Sequence, residues 1–298
     1  MKKCVLVTGA NGLVGTDLVA ALKKTRVITS DLTSSSENAD VRDFARLEEI
    51  ITKHRVTMVY HLAGLLSVGG EKNPHLAWDV NVNGLKNILD LAAKYQLRVF
   101  WPSSIAAFGP TTPKNNTPQH TILEPSTVYG VTKVAGELLC QYYFSKFGVD
   151  VRSLRFPGLI AWKAPPGDGT TEYSVHIFHA AIKANKYTCF LKPDTFLPMM
   201  YIDDAISGTL KLMEAKKKNI TIRTSYNFSA LSFSPRQLVK EIAKQHPGFV
   251  CDYHPDDRQQ IADSWPRSID DSPASADWGW KPSFGLPELV SQMFAHLQ

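Results

Sequence analysis

The chain has 298 residues, of which 44% are hydrophobic and 20% charged, and its formal net charge is +5 at pH 7. This length is enough for one large domain or two smaller ones with a well-filled core. The composition excludes a disordered chain, a collagen-like repeat and a small disulfide-stabilised scaffold. The one run of positive charge, at 216–218, is typical of a solvated helix end, so no nucleic-acid partner is expected.

Cysteine usage and apolar patterning indicate the compartment. Cys4, Cys140, Cys189 and Cys251 are far apart and form no CxxC, which favours a reducing compartment over a disulfide framework or a zinc site. No apolar run reaches the roughly 20 residues that span a bilayer, and the first residues lead into a strand rather than a signal peptide. We expect a soluble intracellular protein without membrane contact, either cytoplasmic or in an organelle matrix if a targeting segment is missing from this sequence.

Short β-branched runs alternate with helical patterns through the first half of the chain. The predicted strands are 4–8, 27–30, 58–62, 99–101 and 151–155, and the predicted helices are 12–24, 45–53, 76–95 and 128–147. Alternation at this spacing predicts the α/β class, with a Rossmann-type, doubly wound parallel sheet covered by helices on both faces.

The regular alternation of strands and helices ends after Phe156. A Pro-Pro-Gly-Asp-Gly stretch at 165–169 then indicates a loop. The later predicted elements are helices at 173–183, 202–215, 235–245 and from 286, and a strand at 225–229. We therefore expect a smaller α/β substrate-binding lobe threaded through the end of the large sheet. The predicted division is a sheet domain of residues 1–160, to which segments near 198–230 return, and a lobe of residues 161–197 and 231–298.

The turn after the first strand carries glycines at i, i+3 and i+6, namely Gly9, Gly12 and Gly15. Backbone without side chains at these positions lets a dinucleotide pyrophosphate approach the N-terminus of the following helix. Asp31 ends the second strand 22 residues after Gly9, near the spacing of the acid that binds the adenosine ribose hydroxyls. Its carboxylate would repel a 2′-phosphate, which favours NAD over NADP. The alternative role of Asp31 is to cap a turn.

Further cofactor contacts are predicted in the glycine turn and at the ends of neighbouring strands. They are Asn11, Leu13 and Val14 in the turn, Asp40 and Val41 at the adenine edge, and Leu62, Ala63 and Gly64 after the third strand. Asn81 lies inside a predicted helix, where its amide either holds a water for proton relay or marks a helix kink.

Tyr129 and Lys133 stand four residues apart at a helix start and therefore on one face. A nearby ammonium stabilises the phenolate, so we expect the pKa of Tyr129 to fall from about 10 toward neutrality, where it can accept a proton. Ser104 follows the fourth strand and can hydrogen-bond the oxygen that is being oxidised. Ser103 either does the same or caps the turn.

Together these segments resemble the extended short-chain dehydrogenase/reductase superfamily. The matching motifs are TGANGLVG, HLAG, PSSIAAFG, YGVTK and LPMMYIDD, with Asp31 and Asn81 between them. The resemblance covers nearly the whole chain. It implies NAD as the cofactor, with Tyr129, Lys133, Asn81 and Pro157 among the residues beside it.

Segments in the lobe and at its boundary with the sheet domain closely resemble one family of that superfamily, the short-chain L-threonine 3-dehydrogenases. These segments are 155–160, 167–173, 264–266 and 277–280. The resemblance implies oxidation of the L-threonine 3-hydroxyl to L-2-amino-3-oxobutyrate, with hydride passing to NAD. Tyr129 would take the hydroxyl proton, Lys133 would lower its pKa and hold the ribose, and Ser103 and Ser104 would orient the oxygen.

The same resemblance places further residues around the amino acid: Ser67, Thr170, Thr171 and Trp265. Turn capping by the hydroxyls and core packing by Trp265 are the alternatives. The chain departs from the family at 165–169, where a run of glycines is expected, and at Glu172, where the family has Asp. His176 and His179 have an i, i+3 spacing but no recognisable third ligand, so no metal is expected.

Two other functions remain open. A sugar-nucleotide epimerase or dehydratase with retained NAD would need a basic pocket, for which Arg223, Arg258 or Arg267 are available. A catalytically silent NAD-binding regulator would typically lack the tyrosine or the lysine, and both are present here.

For assembly, the resemblance implies a homodimer built from the predicted helices 76–95 and 128–147. Apolar residues recur at helical spacing on the first of them, at Leu85, Ile88, Leu89 and Ala92. These side chains either form the interface or pack against the sheet.

Overall fold

A computed structural model describes residues 3–23, 25–163 and 165–298. Its strands are β1 (Cys4–Thr8), β2 (Arg26–Asp31), β3 (Glu37–Asn38), β4 (Met58–His61), β5 (Arg98–Ser104), β6 (Val151–Phe156), β7 (Gly158–Ile160), β8 (Lys186–Cys189), β9 (Leu197–Tyr201), β10 (Tyr226–Asn227), β11 (Leu231–Phe233) and β12 (Val250–Tyr253). Its α-helices are α1 (Leu13–Ala21), α2 (Phe44–His54), α3 (Ser67–Lys72), α4 (Pro74–Trp78), α5 (Gly84–Tyr95), α6 (Val128–Phe147), α7 (Tyr173–Ala184), α8 (Ile202–Glu214), α9 (Pro235–Gln245), α10 (Arg258–Ser264), α11 (Ser272–Trp278) and α12 (Leu286–Leu297).

The main sheet has the strand order β10-β6-β5-β4-β1-β2-β3, and neighbouring strands in it are parallel. From β1 the chain builds outward through β2 and β3, then crosses back to β4 on the other side of β1. Such a reversal opens a crevice at the carboxyl ends of the two diverging strands. The predicted Rossmann-type α/β fold is confirmed, and the crevice lies beside the glycine turn that follows β1.

The helix predicted at 76–95 is interrupted. Asn73 accepts a hydrogen bond from the Leu76 N–H and starts α4 with Pro74 at its first position. A π-helical turn, Asp79–Asn83, then joins α4 to α5. Such single turns insert an extra residue and often mark functional positions, and here the turn contains Asn81.

The apolar face of α5 packs inside its own protomer. Leu85, Ile88, Leu89 and Ala92 are buried in a cluster with the β-strands and with Cys140 of α6. They therefore cannot form a subunit interface, and of the two alternatives above the packing against the sheet is the correct one.

Two small sheets accompany the main one, with the strand orders β11-β9-β7 and β12-β8. The segment 198–230 is split between sheets, because β9 pairs with β7 while β10 pairs with β6 in the main sheet. In the described ranges, no helix is long and apolar enough to cross a membrane.

Candidate active site

A cavity of about 450 Å³ opens at the carboxyl ends of β1, β2 and β4. Most of the predicted cofactor residues line it: Gly9, Asn11, Gly12, Asp31, Asp40, Val41, Leu62, Ala63 and Gly64. The fold thus gathers residues that are up to 55 positions apart in the sequence into one wall. This is the place where doubly wound sheets bind nucleotides.

The glycine turn is shaped by close backbone contacts. A Cβ on Gly9, whose φ is +69°, would lie 2.5 Å from the Ala63 nitrogen, and a Cβ on Gly15 would lie 2.3 Å from the Gly9 oxygen. Gly12 is the N-cap of α1, and no side chain caps this end of the helix. The N–H groups of the first turn, at Leu13 and Val14, are therefore open to an anion, and the partial positive charge of the helix end favours one. The turn fits a dinucleotide pyrophosphate.

Asp31 connects the glycine turn to the end of β2. Its carboxylate accepts hydrogen bonds from the Asn11 N–H at 2.9 Å and from the Leu32 N–H at 2.8 Å. The Asn11 side chain in turn donates to the Thr33 carbonyl at 2.7 Å. Asp31 thus caps the turn and at the same time lines the cavity, so the two roles considered for it are compatible.

Asp40 and Arg42 form a pair on the adenine side of the cavity. The Arg42 guanidinium donates to both carboxylate oxygens of Asp40, with its shortest bond at 2.5 Å. This hydrogen bonding lowers the pKa of Asp40 below its usual range, although partial burial acts in the opposite direction. Asp40 neutralises the charge of Arg42 beside the cavity. Arg42 is therefore not available to pair with Asp31.

Asn81 fixes the loop that follows β4. Its Oδ1 accepts from the Leu65 N–H at 2.8 Å, and its Nδ2 donates to the Leu65 carbonyl at 3.0 Å and to the Thr132 hydroxyl at 3.1 Å. Both amide hydrogens are engaged, so neither is left for a water relay. The position of Asn81 in the π-helical turn favours the helix-kink alternative, and its side chain holds the cavity wall next to Gly64.

Helix α6 lies closely against β5. Thr127 caps the helix by accepting from the Gly130 N–H at 3.1 Å. Two turns further on, a Cβ on Gly136 would lie 2.3 Å from the ring of Trp101, so only glycine permits this approach. The contact brings Tyr129 and Lys133 to the carboxyl end of β5.

Burial dominates the electrostatics of Tyr129 and Lys133. Burial raises the pKa of Tyr129 to about 12, while a hydrogen bond from Ser104 acts to lower it. Burial also lowers the pKa of Lys133 to about 8, against the raising effect of the Glu137 carboxylate. The Lys133 Nζ donates to the Pro102 carbonyl at 2.7 Å and lies 5.3 Å from the centroid of the Tyr129 ring.

The expectation that the pKa of Tyr129 falls toward neutrality is therefore wrong for this arrangement. The reason is that the desolvation of the buried phenol outweighs the stabilisation of its phenolate by Ser104. The Lys133 ammonium is bound to the Pro102 carbonyl instead. Tyr129 holds its proton at neutral pH until positive charge comes closer to its oxygen.

The two serines at the end of β5 face opposite sides, as successive strand residues do. Ser104 accepts from the Ala106 N–H at 3.1 Å and interacts with Tyr129. Ser103 is buried and donates to Glu137 at 2.6 Å. Ser104 is thus the serine on the side of Tyr129, and it also caps the turn, the role that had been considered for Ser103.

The loop after β7 is held at Gly167. The Gly167 N–H donates to the Glu172 carboxylate at 3.0 Å, and His176 Nε2 hydrogen-bonds with the Gly167 carbonyl at 3.0 Å. Glu172, where the resemblance led us to expect Asp, reaches back to the loop with its longer side chain. This contact orders the segment that carries Thr170 and Thr171, of which Thr170 is buried.

The other predicted substrate residues lie on separate elements. Ser67 starts α3 and is half-buried, and Pro157 is buried between β6 and β7. Trp265 is buried after α10 and lines a different cavity of about 500 Å³ together with Phe196. The structure brings Trp265 to the lobe, not to the wall formed by the cofactor residues.

Two functional candidates, His61 and Glu137, were not among the predicted site residues. His61 is fully buried with its Nδ1 2.8 Å from the Thr8 hydroxyl, and burial lowers its pKa to about 3. Glu137 is buried and bonded to Arg155 and Ser103. The available signal for Glu137 was its i+4 spacing from Lys133 on the same helix face.

Two of the three arginines considered for a second pyrophosphate are engaged elsewhere, whereas Arg267 lines the lobe cavity beside Trp265. Arg223 binds Asp150 at 3.0 Å at the amino end of β6, on the opposite edge of the sheet from Tyr129. Arg258 is paired with Asp256 at 2.6 Å. Where the chain is described, no three His, Cys, Asp or Glu side chains come together as a metal cluster.

A larger groove of about 870 Å³ lies at the amino-terminal edge of the main sheet. Its described lining residues include none of the predicted site residues, and many are basic. Helices α2, α5 and α6 end there, and the negative partial charge of helix C-termini accounts for Lys and Arg at such an edge.

Three features together define a nicotinamide-dependent enzyme. They are the Rossmann-type sheet, the glycine turn with an acid at the end of β2, and the Tyr-Lys pair beside a strand-end serine. Residues 5–227 match the sequence model of the NAD dependent epimerase/dehydratase family. The chain belongs to this family, and NAD is its cofactor.

Named relatives extend over nearly the whole chain. The mitochondrial L-threonine 3-dehydrogenase of Bos taurus is 48% identical over 97% of this chain and 81% of its own length. The GalE-like L-threonine dehydrogenase from Cupriavidus necator, in its holo form, is 50% identical with a TM-score of 0.96 and 99% of each chain covered. A monomeric L-threonine 3-dehydrogenase from a metagenome is 47% identical with a TM-score of 0.94 and 98% of each chain covered.

Proposed function

We propose that the chain is an NAD-dependent L-threonine 3-dehydrogenase that oxidises the 3-hydroxyl of L-threonine to L-2-amino-3-oxobutyrate. The observation that carries the chemistry is the position of Ser104 beside Tyr129, with Lys133 one turn further along α6. The choice of threonine is supported by the similarity to threonine dehydrogenases, which includes the lobe as well as the sheet.

In this proposal the cavity residues from Gly9 to Gly64 bind NAD, with Asp31 on the adenosine ribose and Pro157 near the other end. Asn81 acts through Leu65 by holding the loop that lines the site. When bound, NAD supplies the acceptor for the hydride that leaves Cβ of threonine.

The protein's own groups handle the proton and the alignment. The Ser104 hydroxyl orients the substrate oxygen, and Tyr129 takes the hydroxyl proton once positive charge near its oxygen has converted it to the phenolate. The Lys133 ammonium favours the phenolate, because an opposite charge nearby stabilises the ionised form. Ser67, Thr170, Thr171 and Trp265 are proposed contacts of the amino acid, and Ser103 supports Ser104 from the other face of the strand.

The proposed division of labour follows the chain. Residues 1–160, with returning segments near 198–230, bind the cofactor, and residues 161–197 and 231–298 form the substrate lobe. The pairing of β10 with β6 supports the return. A reducing compartment, either the cytoplasm or an organelle matrix, is supported by the four free cysteines.

We further propose a homodimer through α4 and α6. Trp78, Val131, Leu138 and Tyr142 are 42% to 59% exposed, and the three on α6 have the i, i+7, i+11 spacing of one helix face. An exposed apolar stripe of this kind is typical of a protein interface. We expect a dimer by analytical ultracentrifugation and a monomer for Leu138→Glu. Val250→Glu, at an exposed position in the lobe, is the control. A wild-type monomer would contradict the proposed homodimer. The metagenome relative is itself described as monomeric.

A substrate screen tests the proposed function. Purified protein with NAD and L-threonine should form NADH, while UDP-glucose should be left unchanged. Turnover of UDP-glucose without NADH formation from threonine would instead support the epimerase. Binding of NAD without turnover of either would support a silent regulator.

A further inference from the structure

The carboxyl end of β5 is tied to α6 by two polar bonds from adjacent residues. The Lys133 Nζ donates to the Pro102 carbonyl at 2.7 Å, and the Ser103 hydroxyl donates to Glu137 Oε1 at 2.6 Å. Lys133 and Glu137 are one helical turn apart. The two bonds therefore fix the register between strand and helix just before Ser104.

Glu137 is held in place by a buried arginine. Arg155 donates from Nε to Oε1 at 2.9 Å and from Nη2 to Oε2 at 2.7 Å. Its Nη1 also donates to the Gln119 carbonyl at 3.1 Å and to Asn227 Oδ1 at 2.9 Å. The side chains of Glu137 and Arg155 are only 1% and 3% exposed. A buried carboxylate with this many bonds is rigid and has its charge stabilised.

Among the described residues, four titratable groups face the Lys133 ammonium: Tyr129, Glu137 and Cys140 on its own helix and His61 on β4. Burial raises the pKa of Tyr129 to about 12, raises that of Cys140 far above its usual value and lowers that of His61 to about 3. These three groups are neutral at pH 7. The Glu137 carboxylate is thus the negative charge that faces the ammonium within the described part of the chain.

We propose that Glu137, secured by Arg155, is a positioning residue for the dehydrogenase reaction. It fixes the strand end that carries Ser104 through its bond to Ser103, and its charge keeps Lys133 in the ammonium form. This inference rests on the proposed function for the roles of Ser104 and Lys133. Neither Glu137 nor Arg155 needs to touch the substrate or the cofactor.

Glu137→Gln tests the electrostatic part, because it keeps the size of the side chain and an acceptor for Ser103 but removes the charge. Without that charge the pKa of Lys133 falls further, and the ammonium is lost at a lower pH. The alkaline limb of the pH dependence of kcat should move down by about one pH unit. A folded Glu137→Gln protein whose alkaline limb stays at the wild-type pH would overturn the electrostatic part.

Asp150→Asn is the matched control. Asp150 pairs with the buried Arg152 at 2.9 Å at the opposite end of β6. This variant also breaks a buried ion pair, so it should lower the melting temperature, but it should leave the alkaline limb in place. An equal shift of the limb in both variants would mean general damage and would overturn the proposal.

Ser103→Ala tests the register part and does not depend on the folding of Glu137→Gln. It removes the bond to Glu137 and leaves the ion pair with Arg155 intact. We expect kcat to fall about ten-fold, since small displacements of aligned groups slow chemistry, with the KM for threonine and the alkaline limb unchanged. A wild-type kcat would overturn this part.

The wild-type assay separates the two levels of inference. If the wild-type protein does not oxidise threonine, the proposed function fails. The alkaline limbs of kcat for wild type, Glu137→Gln and Asp150→Asn are then compared with the substrate that the protein does turn over. That comparison still decides the role of Glu137.

Discussion

Gly130 and Ala106 lie in direct backbone contact, because a Cβ added to Gly130 would be only 2.2 Å from the Ala106 carbonyl oxygen. Ala106 belongs to the 3₁₀ turn Ile105–Ala107, which immediately follows Ser104, and Gly130 follows Tyr129. The glycine therefore sets how closely the phenol and the serine hydroxyl approach each other.

Gly130→Ala should lower both activity and stability. The added methyl group pushes the start of α6 away from the turn, which we expect to reduce kcat/KM by at least about ten-fold and the free energy of unfolding by about 1–3 kcal/mol. Activity assays and urea unfolding measure the two effects. Gly69→Ala is the control, since its Cβ would meet only Leu65, at 3.9 Å. Equal activity of both variants would contradict the role assigned to this contact.

Asp31→Asn should weaken the preference for NAD over NADP. The amide keeps one acceptor for the backbone N–H groups of Asn11 and Leu32 but no longer repels a 2′-phosphate. We expect the ratio of kcat/KM for NAD to that for NADP to fall about ten-fold, which corresponds to about 1.4 kcal/mol. Asp194→Asn, which breaks the exposed pair with Arg236, should leave the ratio unchanged. An unaltered ratio in Asp31→Asn would place the discrimination elsewhere.

Glu37 should make stability depend on pH in the acid range. Hydrogen bonds from Lys53 and His54 lower its pKa from 4.5 to about 2, against a raising effect of burial. Because the pKa is lower in the folded state, the stabilisation is present above about pH 4.5 and is lost as the pH falls toward 2. Wild type should therefore exceed Glu37→Gln in urea unfolding at pH 7, and the gap should close in acid. Glu49→Gln, whose acid is largely exposed, should show little effect.

A difference between wild type and Glu37→Gln that is the same at pH 7 and pH 3 would contradict this account of the cluster.

Elements with strong local signals could be predicted from the sequence almost to the residue. Helix α6 is bounded by a Thr127 cap and by Gly148 at a φ of +71°, and its predicted and observed limits agree. Helix α9 begins with Pro235 after a capping box formed by Ser234 and Gln237. Such start and stop signals act through adjacent backbone groups, so they can be read from the sequence alone.

Elements that depend on distant partners could not be predicted this way. Strand β12 forms only because it pairs with β8, where Cys189 is opposite Tyr253. Short helices such as α10 and α11 were also missed, since seven residues carry too little periodicity to stand out.

The roles of the two serines needed the structure for a related reason. The strand predicted from the sequence ends at Trp101, whereas β5 continues through Pro102 to Ser104. The side of the sheet that each serine faces depends on how far this strand extends. Glu137 becomes the partner of Ser103 only because α6 packs against the strand. The glycine turn, Asp31, Tyr129 and Lys133 were accessible because their spacing reflects local geometry.

In the proposed reaction, Tyr129 takes the proton from the 3-hydroxyl of L-threonine while NAD is reduced. The most direct measurement is NADH formation from saturating NAD and L-threonine by wild type and by Tyr129→Phe, with NAD affinity measured in parallel. We expect turnover in wild type and a loss of kcat of about 10³-fold in the variant, at an NAD affinity within about two-fold of wild type. A Tyr129→Phe protein that retains the wild-type rate would contradict it.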